Sequence, residues 1–173
     1  MKKAASIFLR TDIYPEDVAR LIRWMEKPNI TRYLNEESGV ASSLRRLLDK
    51  VPAPMLTYHF NRMGLFFLIC RTDGEAIGFI KLRERPQSGH FEIVYAIGEE
   101  TLWGRGYGAQ AIRSALDTAF CQWRARQVVA KIYPENLRSV CLVTACGFRR
   151  CGKTEQLLHF SMTMEGYLKS RGL

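Results

Sequence analysis

No stretch of this chain approaches the ~18 consecutive apolar residues that a membrane-spanning helix needs, although apolar residues fill 47% of its 173 positions. Ala4–Leu9 is too short for the apolar segment of a secretory leader and runs straight into Arg10 and Asp12, so a cytoplasmic protein with no membrane partner is expected. The cysteines offer no framework. Five of them, at positions 70, 121, 141, 146 and 151, make an odd number without a CxxC pair. None of the three histidines, His59, His90 and His159, falls at ligand spacing with them, so neither a disulfide scaffold nor a metal site is expected. Acidic residues are few, 17 against 26 basic ones, for a net charge of +9. That excess favours an anionic cofactor or partner over a polycationic one. The basic residues are nevertheless scattered in pairs such as Arg45-Arg46 and Arg149-Arg150, and no aromatic–basic signature of nucleic-acid recognition accompanies them. Repeats, low-complexity stretches and linkers are absent, so residues 1–173 are read as one domain.

What is present is an alternation of short strands and amphipathic helices. Ile7–Arg10 reads as a strand, and Pro15-Glu16-Asp17 opens a helix with Val18, Leu21, Ile22 and Met25 on one stripe, stopped at Lys27-Pro28-Asn29. Leu44, Leu47, Leu48 and Val51 mark a second helix that ends at Pro52. Leu65–Arg71 and Ala76–Arg83 flank the turn Thr72-Asp73-Gly74-Glu75 and predict a hairpin. His90–Ile97 follows as a strand. Next comes a glycine-rich loop, then a helix with Ala109, Ile112, Leu116, Ala119, Phe120 and Trp123 turned inward. Gln127–Tyr133 is a strand, Asn136–Cys146 a helix capped by Gly147, and Phe148–Lys153 and Leu157–Met164 are closing strands. The order β-α-α-β-β-β-α-β-α-β-β predicts an α/β (α+β) fold. Its sheet is mixed, mostly antiparallel and twisted, with six to seven strands and helices on both faces.

The loop Trp103-Gly104-Arg105-Gly106-Tyr107-Gly108-Ala109 carries the chemistry. It follows a strand and opens a helix, where first-turn N–H groups are unpaired and lie at the positive end of the helix dipole. Three glycines in five residues let a ligand's phosphates approach the backbone, which is more than a plain turn requires. A dinucleotide site would place an acidic residue ~20 positions later, at the end of the next strand. Gln127-Val128-Val129-Ala130-Lys131 has none. No Gly-Lys-Ser/Thr follows either, so a nucleoside-triphosphate loop is excluded.

Glu92-Ile93-Val94-Tyr95-Ala96-Ile97, the glycine loop, Pro134-x-Asn136-x-x-Ser139 and Cys146-Gly147-Phe148, in this order, resemble the GNAT acetyltransferases. The resemblance is strongest to the branch with ribosomal-protein N-terminal and spermidine acetyltransferases. It spans about Ile7 to Met164, and implies a GNAT-like domain that transfers acetyl from acetyl-CoA to a primary amine by direct attack, with no metal. The loop departs from the family's usual pattern in beginning with Trp103 rather than Gln or Arg. The resemblance implies that the backbone of Arg105, Gly106, Tyr107, Gly108 and Ala109 holds the pyrophosphate of acetyl-CoA. It also implies that Ala96 and Ile97 pair with the pantetheine arm through their backbone, and that Asn136 contacts that arm. Asn136 serves equally as an ordinary N-cap.

The tyrosine that many relatives use as general acid is replaced here by Val143. Ser139, three residues after Asn136, matches a serine of some relatives, and also reads as a first-turn serine satisfying local backbone. For the base, Glu92 matches a glutamate of this branch, and alternation sets it on one strand face with Val94 and Ala96. A base matters: presenting a lysine-like amine neutral at pH 7 costs ~4.6 kcal/mol, an α-amine only ~1 kcal/mol. In the connection between the first two helices, Tyr33 and Glu36 are the acceptor-binding candidates, with Trp24, Arg32 and Glu37 nearby. The expected acceptor is a peptide or protein N-terminus or a small-molecule amine, with anionic molecules favoured over polyamines. A non-enzymatic acyl-CoA-binding module is the alternative. Oligomeric state is left open, a homodimer included.

Overall fold

The computed structural model describes residues 6–34 and 36–173. Seven strands form one sheet: β1 (Ile7–Arg10), β2 (Gly64–Arg71), β3 (Ala76–Glu84), β4 (His90–Ile97), β5 (Gln127–Ile132), β6 (Arg149–Lys153) and β7 (Leu158–Thr163). Their spatial order is β1-β2-β3-β4-β5-β7-β6. Every neighbouring pair is antiparallel except β4 and β5. The mixed sheet expected from the element order is thus present, and its single parallel contact is where the loop-helix unit crosses over.

The helices divide between two cores. One face of the sheet is covered by α1 (Pro15–Met25), α2 (Pro28–Thr31), α3 (Val40–Lys50) and α4 (Leu56–Asn61), packed over Phe66, Leu68, Phe79 and Val94. The other face carries α5 (Tyr107–Asp117), α6 (Leu137–Ala145) and α7 (Met164–Ser170). There Ile112, Leu116, Val143 and Tyr167 meet Ile80, Leu82, Ile93 and Val128. In α1, Pro at the first position and a capping box with Asp17 start the helix. The same Asp17 carboxylate takes two hydrogen bonds from Arg10, at 2.9 and 3.0 Å, which ties α1 to β1.

Trp24, one position off the apolar stripe of α1, is fully buried. Its indole N–H donates to Glu99 Oε1 at 2.9 Å, so the ring is buried without stranding its polar atom. Trp24→Ala is expected to cost about 3–5 kcal/mol, measurable as a lowered denaturant midpoint at unchanged slope. Trp123, expected inside, is 44% exposed and meets Phe91 edge-on at 6.1 Å. Its helix ends in a π-helical turn over Thr118–Gln122, and the extra residue per turn rotates Trp123 off the buried stripe.

Candidate active site: a slot through the sheet

β4 and β5 share only three register pairs, His90 with Gln127, Phe91 with Val128 and Glu92 with Val129. Beyond Glu92 the two strands part, while β4 stays paired to β3 as far as Ile97 and β5 to β7 as far as Ile132. The edge of β4 from Ile93 onward therefore offers unpaired backbone groups to a ligand. The opening is a cleft of about 380 Å³, and residues from both sides of the sheet line it.

On the α5 side, the glycine loop forms one wall. Gly104 and Gly106 have φ of +71° and +86°, a left-handed backbone that glycine adopts without a Cβ penalty. Gly106 is the N-cap of α5, and no side chain caps the helix. The first-turn N–H groups are thus left without a side-chain partner at the positive end of the helix dipole. Gly108 serves differently: a Cβ there would stand 3.0 Å from Leu142 Cδ2, so it permits α5 and α6 to pack closely. Gly104, Gly106, Tyr107, Gly108 and Ala109 line the cleft, whereas the Arg105 side chain is exposed outside it. Trp103 turns inward, its indole N–H donating to the Ile97 carbonyl at 2.9 Å. The Arg138 guanidinium stacks 3.6 Å from the Trp103 ring, joining the loop to α6 across the cleft mouth.

Asn136 is the N-cap of α6, with its Oδ1 accepting from Ser139 N–H at 3.3 Å and its Nδ2 donating to Ser139 Oγ at 2.9 Å. Both line the cleft, as do Ala96 and Ile97. Val143 is fully buried in the core below. Residues that sequence reasoning passed over are Tyr95, Lys131 and Asn29, all in the cleft wall. Lys131 was legible as the one charge on its strand. Tyr95, in an apolar strand, reads as ordinary core.

On the α1 side, Glu92 is only 6% exposed, with Lys131 Nζ at 3.4 Å and Arg85 at 3.7 Å from its Oε2. Its burial replaces the half-solvated position that a surface strand would give it. Tyr33 reaches the cleft beside it. Glu36 does not. It pairs with Lys81 and Arg83 and lines a second, largely apolar cavity of about 330 Å³ between α3 and the β2–β3 hairpin. Glu36 lies outside the cleft because two cations on β3 hold it there. Arg83 stands directly opposite Glu92 on the neighbouring strand, so the two cavities adjoin. Among the described residues, no group of three His, Cys, Asp or Glu side chains converges as a metal site would, and no histidine lines the cleft.

Comparison with known proteins agrees with this geometry. The profile of a family described as "Acetyltransferase (GNAT) domain" matches residues 7–149. The uncharacterized N-acetyltransferase p20 of Bacillus licheniformis is 27% identical over 139 residues, covering 79% of this chain and 76% of that protein. An aminoglycoside acetyltransferase solved with coenzyme A superposes with a TM-score of 0.77 at 17% identity, over 96% of this chain and 99% of that one. A spermidine N-acetyltransferase of Vibrio cholerae, solved with CoA and spermine, gives 0.75 at 20% identity, over 94% and 98%. At these identities the superpositions establish a shared fold.

Proposed function

Since the chain belongs to the GNAT acetyltransferase family and is therefore an acetyl-CoA-dependent N-acetyltransferase, we propose that the slot brings thioester and amine together from opposite faces of the sheet. The observation that carries this reading is the parting of β4 and β5 beyond Glu92, with an uncapped helix N-terminus on one side and a buried carboxylate on the other. Acetyl-CoA supplies an acetyl group already activated as a thioester. The backbone N–H groups from Arg105 to Ala109 would hold its pyrophosphate, and the open edge of β4 at Ala96 and Ile97, with Asn136, its pantetheine arm. The Ile97 carbonyl already accepts from Trp103, which leaves one lone pair for the arm. Glu92 would receive the amine proton, directly or through a water. Direct attack fits the slot's composition: its one cysteine, Cys141, has no histidine beside it to activate a thiolate. Most of the acceleration would come from juxtaposition in a confined space.

The acceptor is a primary amine that carries negative charge, such as a peptide N-terminus with an acidic residue near it or a small amino acid. Support comes from the charges around the base and the adjoining cavity, where Lys131 and Arg85 flank Glu92, and Lys81 and Arg83 flank Glu36, two cations to each carboxylate. A polycation would meet net repulsion there. The aminoglycoside and spermidine enzymes among the structural neighbours would then share the fold and differ in acceptor. Five free cysteines, three of them exposed, support a reducing cytoplasmic setting.

The test is thiol release from acetyl-CoA with a panel of acidic dipeptides, amino acids, spermidine and an aminoglycoside. We expect kcat/KM for the anionic amines to exceed that for the polycations by about tenfold or more, and Lys131→Gln, whatever it does to all acceptors through Glu92, to lose about tenfold more on the anionic amines than on the polycations. Faster turnover of spermidine than of any anionic amine would reject the acceptor assignment while leaving the acetyl transfer itself intact.

A further inference from the structure

α3 carries Leu44, Leu47, Leu48 and Val51 at the spacing of a helix that lays one apolar face on a core. Among the described residues, none of the eleven in α3 is nonetheless buried. Leu44 and Leu47 instead line the second cavity, of about 330 Å³, together with Leu21 and Met25 of α1, Phe60 of α4 and Phe66 of β2. Protein interiors are close-packed, and a pocket of this size walled by hydrocarbon has the character of a binding site for an apolar group.

The cavity follows the catalytic slot in a defined order across the sheet. Residues paired on neighbouring antiparallel strands share a face. Glu92 is paired with Arg83 and Val94 with Lys81, and Arg83 in turn with Gly64 and Lys81 with Phe66. On the α1 face the path from β4 to β2 therefore leads from the base, across two cations, to the apolar lining. Strands lie ~4.8 Å apart, so the cations stand about 5 Å and the lining about 10 Å from the row of Glu92. Glu36 is the one carboxylate paired with the two cations, which leaves a positive charge in excess. The Arg83 side chain is still 41% exposed and can take a further carboxylate. A plain acyl chain would have to cross this charged ridge, whereas a ligand with its own negative charge is held by it.

We infer that the second cavity is a subsite for the acceptor, one that receives a large apolar side chain close to a peptide N-terminus. The α-amine lies at Glu92, an acidic side chain lies on Lys81 and Arg83, and the apolar side chain fills the space under Leu44 and Leu47. An extended peptide advances ~3.4 Å per residue. The acid therefore belongs to the second residue and the apolar group to the third. The inference rests on the acetyl-transfer reading given above and narrows its acceptor to one order of side chains. The subsite takes no part in bond making; it holds the peptide so that its amine meets the thioester.

The experiment measures thiol release from acetyl-CoA by the full-length protein with the tripeptide amides Ala-Asp-Leu, Ala-Asp-Ala, Leu-Asp-Ala and Ala-Asn-Leu. Amidation leaves the aspartate as the only carboxylate. For wild type, kcat/KM for Ala-Asp-Leu should exceed that for Ala-Asp-Ala by about tenfold or more. Most of the difference should lie in KM, because the contact is remote from the reacting atoms. Leu-Asp-Ala should show no such gain. Leu47→Trp, which pushes an indole into the cavity from its α3 wall, should cut the preference for Ala-Asp-Leu over Ala-Asp-Ala to about twofold or less. A ratio of two substrates on one protein is insensitive to a general loss of folded enzyme, and the wild-type ranking needs no variant. Arg83→Gln should lower the preference for Ala-Asp-Leu over Ala-Asn-Leu by about threefold. Equal kcat/KM for Ala-Asp-Leu and Ala-Asp-Ala, or a preference that survives Leu47→Trp, overturns the subsite. So does a preference for a long-chain acyl-CoA over acetyl-CoA that Leu47→Trp abolishes, which would put the acyl chain in the cavity. A wild-type dimer that Leu47→Trp makes monomeric overturns it too, by putting a second copy there. Absence of thiol release with every amine is a different failure, since it removes the acetyl-transfer reading itself.

Discussion

Gly106→Glu is expected to weaken acetyl-CoA binding by at least 100-fold, while the protein still folds. Two effects combine at this position. Its φ of +86° is a conformation that costs a residue with a Cβ about 1–2 kcal/mol, and that cost falls mainly on the stability of the loop. The second effect falls on binding. A Cβ at Gly106 meets nothing within 4 Å, so a side chain there projects into the open space in front of the α5 N-terminus. Glutamate would set a carboxylate where the pyrophosphate is proposed to sit. Two unit charges of like sign ~4 Å apart repel by about 4 kcal/mol at the effective dielectric of a protein surface, and the carboxylate would itself occupy the unpaired first-turn N–H groups. Gly106→Ala separates the two effects. It carries the same backbone penalty without the charge, and should lower the Tm while leaving calorimetric affinity within about tenfold of wild type. If Gly106→Glu binds acetyl-CoA as tightly as Gly106→Ala does, the pyrophosphate is held elsewhere.

Much of this architecture could be read from the sequence because its signals are local. The strand at His90–Ile97 shows its own alternation and matches the observed bounds. The glycine loop sits between a strand and a helix, as its spacing implies. Gly147, with φ +98°, follows the last turn of α6 as the C-terminal glycine rule requires. What escaped was either short or long-range. The helices α2, α4 and α7 have four, six and seven residues, too few for a 3.6-residue period to repeat. Trp24 could not be placed because the acceptor of its indole proton, Glu99, lies 75 residues away. Glu36 was expected at the amine, but Lys81 and Arg83, more than 40 residues on, draw it to the neighbouring cavity. Charge pairing across a sheet leaves no mark on local composition. Tyr95 is the same lesson at the site itself, since an aromatic in a strand is ordinary core until its hydroxyl is found without a partner.

Glu92→Gln is expected to lower kcat by 10²- to 10⁴-fold, the usual contribution of a positioned general base, with acetyl-CoA affinity unchanged. The amide keeps the shape and the hydrogen-bond acceptor oxygen but cannot take up a proton from the amine. It also leaves Lys131 and Arg85 without the carboxylate that lies 3.4 and 3.7 Å from them, and both cations are partly solvated, so the protein should remain folded with a modest loss of stability. The chemistry gives the prediction a second axis. An amine attacks only in its neutral form, so turnover under subsaturating acceptor should rise with pH until the amine is deprotonated. With the base removed, the residual rate should depend more steeply on pH and recover most at high pH. The loss at neutral pH should also be larger for a lysine-like amine, pKa ~10.4, than for an α-amine near ~7.8, because the latter is partly neutral without help. Steady-state rates across pH with one acceptor of each kind measure all three. A variant that turns over within about twofold of wild type for both would remove Glu92 as the base. If the wild-type protein binds acetyl-CoA yet releases no thiol with any amine, the slot serves an acyl-CoA-binding module, and the buried carboxylate serves to hold Lys131 in place.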